Sequence, residues 1–121
     1  MNIISSKILS SNNNSTEVDL FGSSKISIQK KSINSSDGDE VHIGIRPEHL
    51  LVNQDADASW ESKVFVVEKL GSGTFLYIEK DGEPLVVETE GDSNIKVGDT
   101  VKIGFTSSRC HLFGKDNQAF I

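Results

Sequence analysis

The residues best suited to chemistry in this 121-residue chain stand in one short run, Arg46-Pro47-Glu48-His49, which supplies a cation, a carboxylate and an imidazole within four positions. As catalysis, His49 would act as a general base and Glu48 as its orienting carboxylate. Neighbouring side chains in extended backbone point apart, however, so two adjacent residues seldom converge on one substrate atom. No nucleophile with a matched base stands elsewhere in the sequence. Pro47 biases Arg46 toward extended geometry and stops a strand ladder, which leaves the charges facing solvent or one another. A structural or docking role is the stronger reading.

Three further runs invite chemistry and give it up on inspection. Cys110-His111, with His42 and His49 elsewhere, could in principle hold a metal, but adjacent Cys and His lack the usual ligand separation and no second CxxC-type pair exists. A buried Cys110 acting as a small hydrophobe, with Leu112 or Phe113 in the core, accounts for the run better. In "LGSGTF" (70–75) no Gly-Lys-Ser/Thr follows the glycines and no helix begins, so Gly71 and Gly73 read as a turn or bulge between strands rather than a phosphate loop. Trp60, Phe65, Phe75 and Tyr77 could stack nucleobases, yet three of them sit in strongly apolar runs and the chain carries a net charge of −6. That sign repels a phosphate backbone unless a local basic patch exists, and Lys30-Lys31 is the longest basic run. Core aromatics and no nucleic-acid partner are expected.

The elements that must position these residues are strands. Val18 and Leu20, Ile26 and Ile28, Val41, Ile43 and Ile45, and later Val101, Ile103 and Phe105 each alternate with polar or glycine residues, the period of a half-buried strand. Val64–Val67 and Phe75–Ile78 are continuous apolar runs, which predicts burial on both faces. Asp81-Gly82 between "LYIEK" and "EPLVV" signals a tight hairpin, and Pro84 places its strand at an edge or at a strand start. One helical turn is expected at Pro47–Leu50, where proline's missing N–H costs nothing. "GDEVHIGI" (38–45) recurs as "GDTVKIGF" (98–105), and "SKIL" (6–9) more weakly as "SKVF" (62–65). Repetition of a Gly-Asp turn launching a strand is one way to build a small barrel. The length suits one domain spanning 1–121. The single cysteine fits a reducing compartment. No secretory signal is evident and no apolar run approaches about 18 residues, so a soluble, cytosolic chain is expected.

Read together, "GIRPEHL" (44–50), "VFVVEKLGSGTFLY" (64–77), "GDTVKIGF" (98–105) and "RCHLF" (109–113) resemble, in order and spacing, the C-terminal domain of ATPase subunits of carbohydrate-importing ABC transporters, of the maltose- and glycerol-3-phosphate-importer type. Met1-Asn2 resembles that family's entry into the domain. The resemblance implies an all-β, OB-fold-type (TOBE) small β-barrel of short antiparallel strands. It implies a regulatory role in which such domains pair as a homodimer and tether two ATPase subunits. The partners would be the ATPase domain of the same subunit, membrane permease subunits and a regulatory protein. The setting would be cytoplasmic, peripheral at the inner face of the membrane. By motif match, Gly44, Glu68, Gly104 and Phe113 are the contact candidates, with Arg46, Glu48 and His49 orienting a strand end and a contact surface. Gly44 and Gly104 also have a sheet-packing reading. The Walker A, Walker B and signature motifs are absent, so no catalytic residue, metal or cofactor is expected here; ATP and Mg belong to the missing ATPase domain. The alternative is a small-ligand sensor of oxyanions, for which "FTSSR" (105–109) could supply donors.

Overall fold

The computed structural model describes residues 1–22 and 24–121. Ten strands carry the chain: β1 (Asn2–Ser11), β2 (Thr16–Leu20), β3 (Ser24–Ile28), β4 (Glu40–Ile45), β5 (Leu51–Val52), β6 (Ala58–Lys69), β7 (Thr74–Lys80), β8 (Glu83–Thr89), β9 (Thr100–Phe105) and β10 (His111–Phe113). Short 3-10 turns stand at Pro47–His49, Ser107–Arg109 and Lys115–Asn117. The all-β class expected from the alternation holds, and the helical turn after Arg46 is present. The chain divides into two compact units. One holds Met1, Ile3–Ile45 and Thr106–Ile121; the other holds Asn2 and Arg46–Phe105.

The first unit is a five-stranded sheet of order β10-β4-β1-β2-β3 and the second a five-stranded sheet of order β5-β9-β6-β7-β8. All four pairings of the second sheet are antiparallel. The Gly-Asp echo of the sequence is a repeat in three dimensions. In the first unit Gly38 N–H donates to Ile8 O (2.7 Å) and Ile8 N–H to Asp39 O (3.0 Å). In the second, Gly98 N–H donates to Val64 O (2.7 Å) and Val64 N–H to Asp99 O (2.9 Å). Both long strands break register at that point, between Ile8 and Ser10 and between Val64 and Val66. Gly38 (φ +88°) and Gly98 (φ +95°) adopt the left-handed backbone that lets each turn enter its strand. The following aspartate fixes the turn, because Asp39 Oδ2 accepts Ser36 N–H and Asp99 Oδ2 accepts Lys96 N–H, both at 2.9 Å.

Each sheet is closed by one segment that touches both of its ends. In the second unit the Pro47–His49 turn packs against β8, and β5 then pairs with β9 (Leu51 opposite Gly104, Val52 opposite Ile103). In the first unit the Ser107–Arg109 turn packs against β3, and β10 pairs with β4 (His111 opposite Gly44, Leu112 opposite Ile43). Between turn and strand each closing segment drops one buried residue inward, Leu50 or Cys110. The closing segment of each sheet therefore follows, in sequence, the Gly-Asp strand of the other.

The first core gathers Ile4, Ile8, Val18, Leu20, Ile28, Ile43, Ile45 and Leu112. The second gathers Val64, Leu76, Ile78, Leu85, Val87 and Ile103, with Trp60 edge-on to Phe105 at 6.1 Å and its indole N–H donating to Ser62 Oγ (2.9 Å). The continuous apolar runs behave differently from the expectation of two buried faces. Val64 is buried, but Phe65 and Val66 are 49% and 43% exposed, and Phe75 and Tyr77 are half-buried beside buried Leu76 and Ile78. Within β6 the strand pairs with β9 through Lys63 and with β7 from Val64 onward. Phe65 continues the outward phase of Glu61 and Lys63, and the bulge between Val64 and Val66 turns Val66 outward as well. Phe65 is thus a surface aromatic, not a core one.

Two glycines are set by close approach. A Cβ on Gly104 would lie 2.6 Å from Ala58 O and 2.7 Å from Ala56 Cβ; on Gly44 it would lie 2.8 Å from Phe113 Cε2 and 3.0 Å from Met1 Sδ. The neighbour of Gly104 is backbone, which cannot yield, whereas those of Gly44 are side-chain ends. Gly104→Ala is expected to cost about 1–3 kcal/mol by overpacking and Gly44→Ala less, as read by denaturant midpoints. Asp39 is held below the usual carboxylate range, chiefly by the Ser36 N–H and then by Lys115, whose Nζ lies 3.4 Å away. A depressed folded-state pKa contributes stability that is present above the unfolded value of about 3.9 and is lost as pH falls through the folded value. The thermal midpoint should therefore decline below about pH 4, and Asp39→Asn should flatten that limb; an unchanged acid limb would show that Asp39 does not set it.

Candidate interaction surface

The chemistry-bearing turn is built as a cap on a strand end. Arg46 is extended (φ −72°, ψ 148°), Pro47 opens the 3-10 turn, and His49 N–H donates to Arg46 O (2.9 Å). Arg46 and Glu48 are exposed and His49 is half-buried. His49 Nδ1 is enclosed and has no hydrogen-bond partner among the described residues. No side-chain bond joins Glu48 to His49 among the described residues, so the geometry that a carboxylate-oriented base requires is not formed. The nearby groove is lined by Glu48, Leu50, Leu51, Val52, Gln54, Ser72, Glu88, Thr89 and Glu90, with three carboxylates and no cation.

The second run of interest is dispersed by its strand. Cys110 is buried, its Sγ 3.6 Å from Thr106 O, while His111 is exposed and lies against Phe113 with ring centroids 6.4 Å apart. Among the described residues no group of three or more His, Cys, Asp or Glu side chains converges as a metal site. Gly71 and Gly73 sit in the turn between β6 and β7, where Leu70 N–H donates to Gly73 O (2.9 Å). A strand follows rather than a helix, so this run does not form a phosphate cradle.

The candidate contact residues fall into separate places. In the first unit Phe113 lies over buried Gly44, and with Met1, Ile3, His42 and Asn117 it lines an open, mainly apolar groove of about 300 Å³. Met1 and Ile3 are 61% and 45% exposed. In the second unit Gly104 is buried under the start of β6, directly opposite Leu51, where the chain leaves the capped turn. Glu68 is exposed on β6, opposite Phe75, and accepts from the Tyr77 hydroxyl at 3.5 Å. Sequence reading missed Ile3 and its strand. The signal was available in one form: Ile3 is an apolar residue on the phase that Ser5 and Lys7 place outward.

No helix among the described residues is long and apolar enough to cross a membrane. Compared with known proteins, the chain matches the TOBE domain family model over residues 43–113. It is 42% identical over 84 residues, 68% of its length, to the maltose/maltodextrin import ATP-binding protein MalK of Vibrio cholerae. It is 31% identical over 121 residues to MalK of Vibrio vulnificus (98% of this chain) and 31% over 122 residues to the alpha-glucoside transport ATP-binding protein AglK of Rhizobium meliloti (99%). The match covers 22% of the first of these proteins and 33% of the other two, so the chain spans about a third or less of the length of the curated relatives it matches. Among solved structures, a crystal structure of the cytoplasmic molybdate-binding protein ModG with molybdate bound shares the fold, with a TM-score of 0.76 over 92% of this chain and 94% of that one, at 15% identity. The family match over more than half the chain, carried by strands β4 to β10 and both closing segments, settles membership: this chain belongs to the TOBE domain family.

Proposed function

We propose that the chain is the regulatory and dimerisation domain of the ATP-binding subunit of an ABC importer for sugars or related solutes. The observation that carries the reading is identity to sugar-import and sugar-transport ATP-binding proteins across 98–99% of the chain. On this reading the domain performs no chemistry. ATP and Mg are held by a portion of the parent protein outside this sequence, permease subunits are partners of that parent, and the setting is cytoplasmic at the inner face of the membrane. The domain tethers two ATPase subunits, raising the effective concentration of one beside the other, and offers its surface to regulatory proteins. Two features support contact surfaces: the Gly44–Phe113 groove with its exposed Met1 and Ile3, and Glu68 on the exposed stretch of β6.

A second reading, an oxyanion-sensing module, is favoured by one observation, the fold shared with a molybdate-bound protein. The two readings separate in solution. Light scattering across a concentration series should give a concentration-dependent dimer, weakened about tenfold by Phe113→Ala, as expected for a central aromatic contact. A strict monomer would remove the tether from this domain and leave docking alone. Molybdate or sulfate should leave the thermal midpoint unchanged. A rise of several degrees would instead favour the sensor, since a ligand at a hundred times its Kd adds about 2.7 kcal/mol to the native state.

A further inference from the structure

The two units are each closed by the other's continuation, and the crossings have no slack. β4 ends at Ile45, fully buried in the first unit, and the second unit begins at the next residue, Arg46, whose carbonyl already holds the Pro47–His49 turn. β9 ends at Phe105, fully buried in the second unit, and the first unit resumes at Thr106, whose carbonyl accepts Arg109 N–H (3.1 Å).

We propose that this exchange of closing segments makes the pair of units one cooperative system, in which loosening either sheet loosens the other through the chain itself. When β4 frays, the segment that joins β8 to β9 loses its anchor at Arg46 and its effective concentration at its own sheet falls. When β9 frays, the segment that joins β3 to β4 loses its anchor at Thr106 in the same way. Each sheet left unclosed exposes two unpaired edges, so neither unit keeps a stable open form, and the two share one unfolding event rather than behaving as separate foldons. A partner that binds one unit then stabilises both, which makes the exchange a relay. The inference does not depend on the importer reading, because it uses only the strand order and the positions of the crossings.

Native-state hydrogen exchange on the full chain tests it, read in residues 16–28 (β2 and β3) for the first unit and 74–89 (β7 and β8) for the second. Val87→Ala, in the second core, should speed exchange in both segments by the same factor, roughly tenfold or more for a buried truncation. Val18→Ala, in the first core, should do the same in the other direction. Should Val87→Ala fail to fold, Ile78→Val gives the same comparison at a smaller factor. A change confined to the variant's own unit overturns the proposal. Six-residue Gly-Ser insertions at both crossings, between Ile45 and Arg46 and between Phe105 and Thr106, supply slack and should shrink the transmitted factor to less than about twofold. Transmission that survives the insertions undiminished would also overturn it.

Discussion

The closure of each sheet by a short segment that bridges its two ends is the constraint on which the rest of the structure depends. Without its closing strand each curled sheet has two edges, and an edge left open presents unpaired backbone to solvent and to other chains. Here a 3-10 turn covers one edge and a two- or three-residue strand pairs with the other. Pro47 is suited to that place, since it ends the preceding ladder and opens the turn without wasting a donor. The first unit reaches the same geometry with Ser107 at the equivalent position, so proline assists the closure and is not required for it. The buried plugs, Leu50 and Cys110, complete it. Cys110 is therefore explained by its volume and position.

The same constraint orders the functional candidates. Arg46, Glu48 and His49 stand together in the cap of a closing segment. Gly104 is fixed by the backbone of Ala58, and Gly44 by the Phe113 ring above it. The groove beside Phe113 is thus a by-product of how β10 lies on β4, and its apolar character comes from Met1 and Ile3 at the start of β1. The corresponding place in the second unit carries Ala56 and Ser59. The repeat supplies two copies of one scaffold, and only the copy with Phe113 presents an apolar face there.

Much of this was legible in the residues. The Gly-Asp echo located both turns, the alternation located β2, β3, β4 and β9, and Asp81-Gly82 located the β7–β8 hairpin, with left-handed backbone at both residues (φ 51° and 82°). β1 escaped because its buried phase includes Asn2 and Ser6 along with Ile4 and Ile8, which blurs the apolar period. Phe65 was misplaced for a related reason. A continuous apolar run reads as double burial, whereas Phe65 stands on the outward phase of Glu61 and Lys63 and the bulge beyond it turns Val66 out as well. The exchange of closing segments was not legible at all. β5 has two residues and β10 three, too short for a period, and which sheet they join is decided by long-range pairing.

We propose that this domain meets a second copy of itself through the face that Phe113 and β1 create. Backbone amide shifts followed by NMR across a concentration series test it most directly, because they locate the contact as well as detect it. Self-association through this face should give concentration-dependent shifts gathered at Met1, Ile3, His42 and Phe113, with the second unit's Phe65 and Val66 unmoved. Shifts centred on Phe65 and Val66, or none up to millimolar concentration, would contradict it.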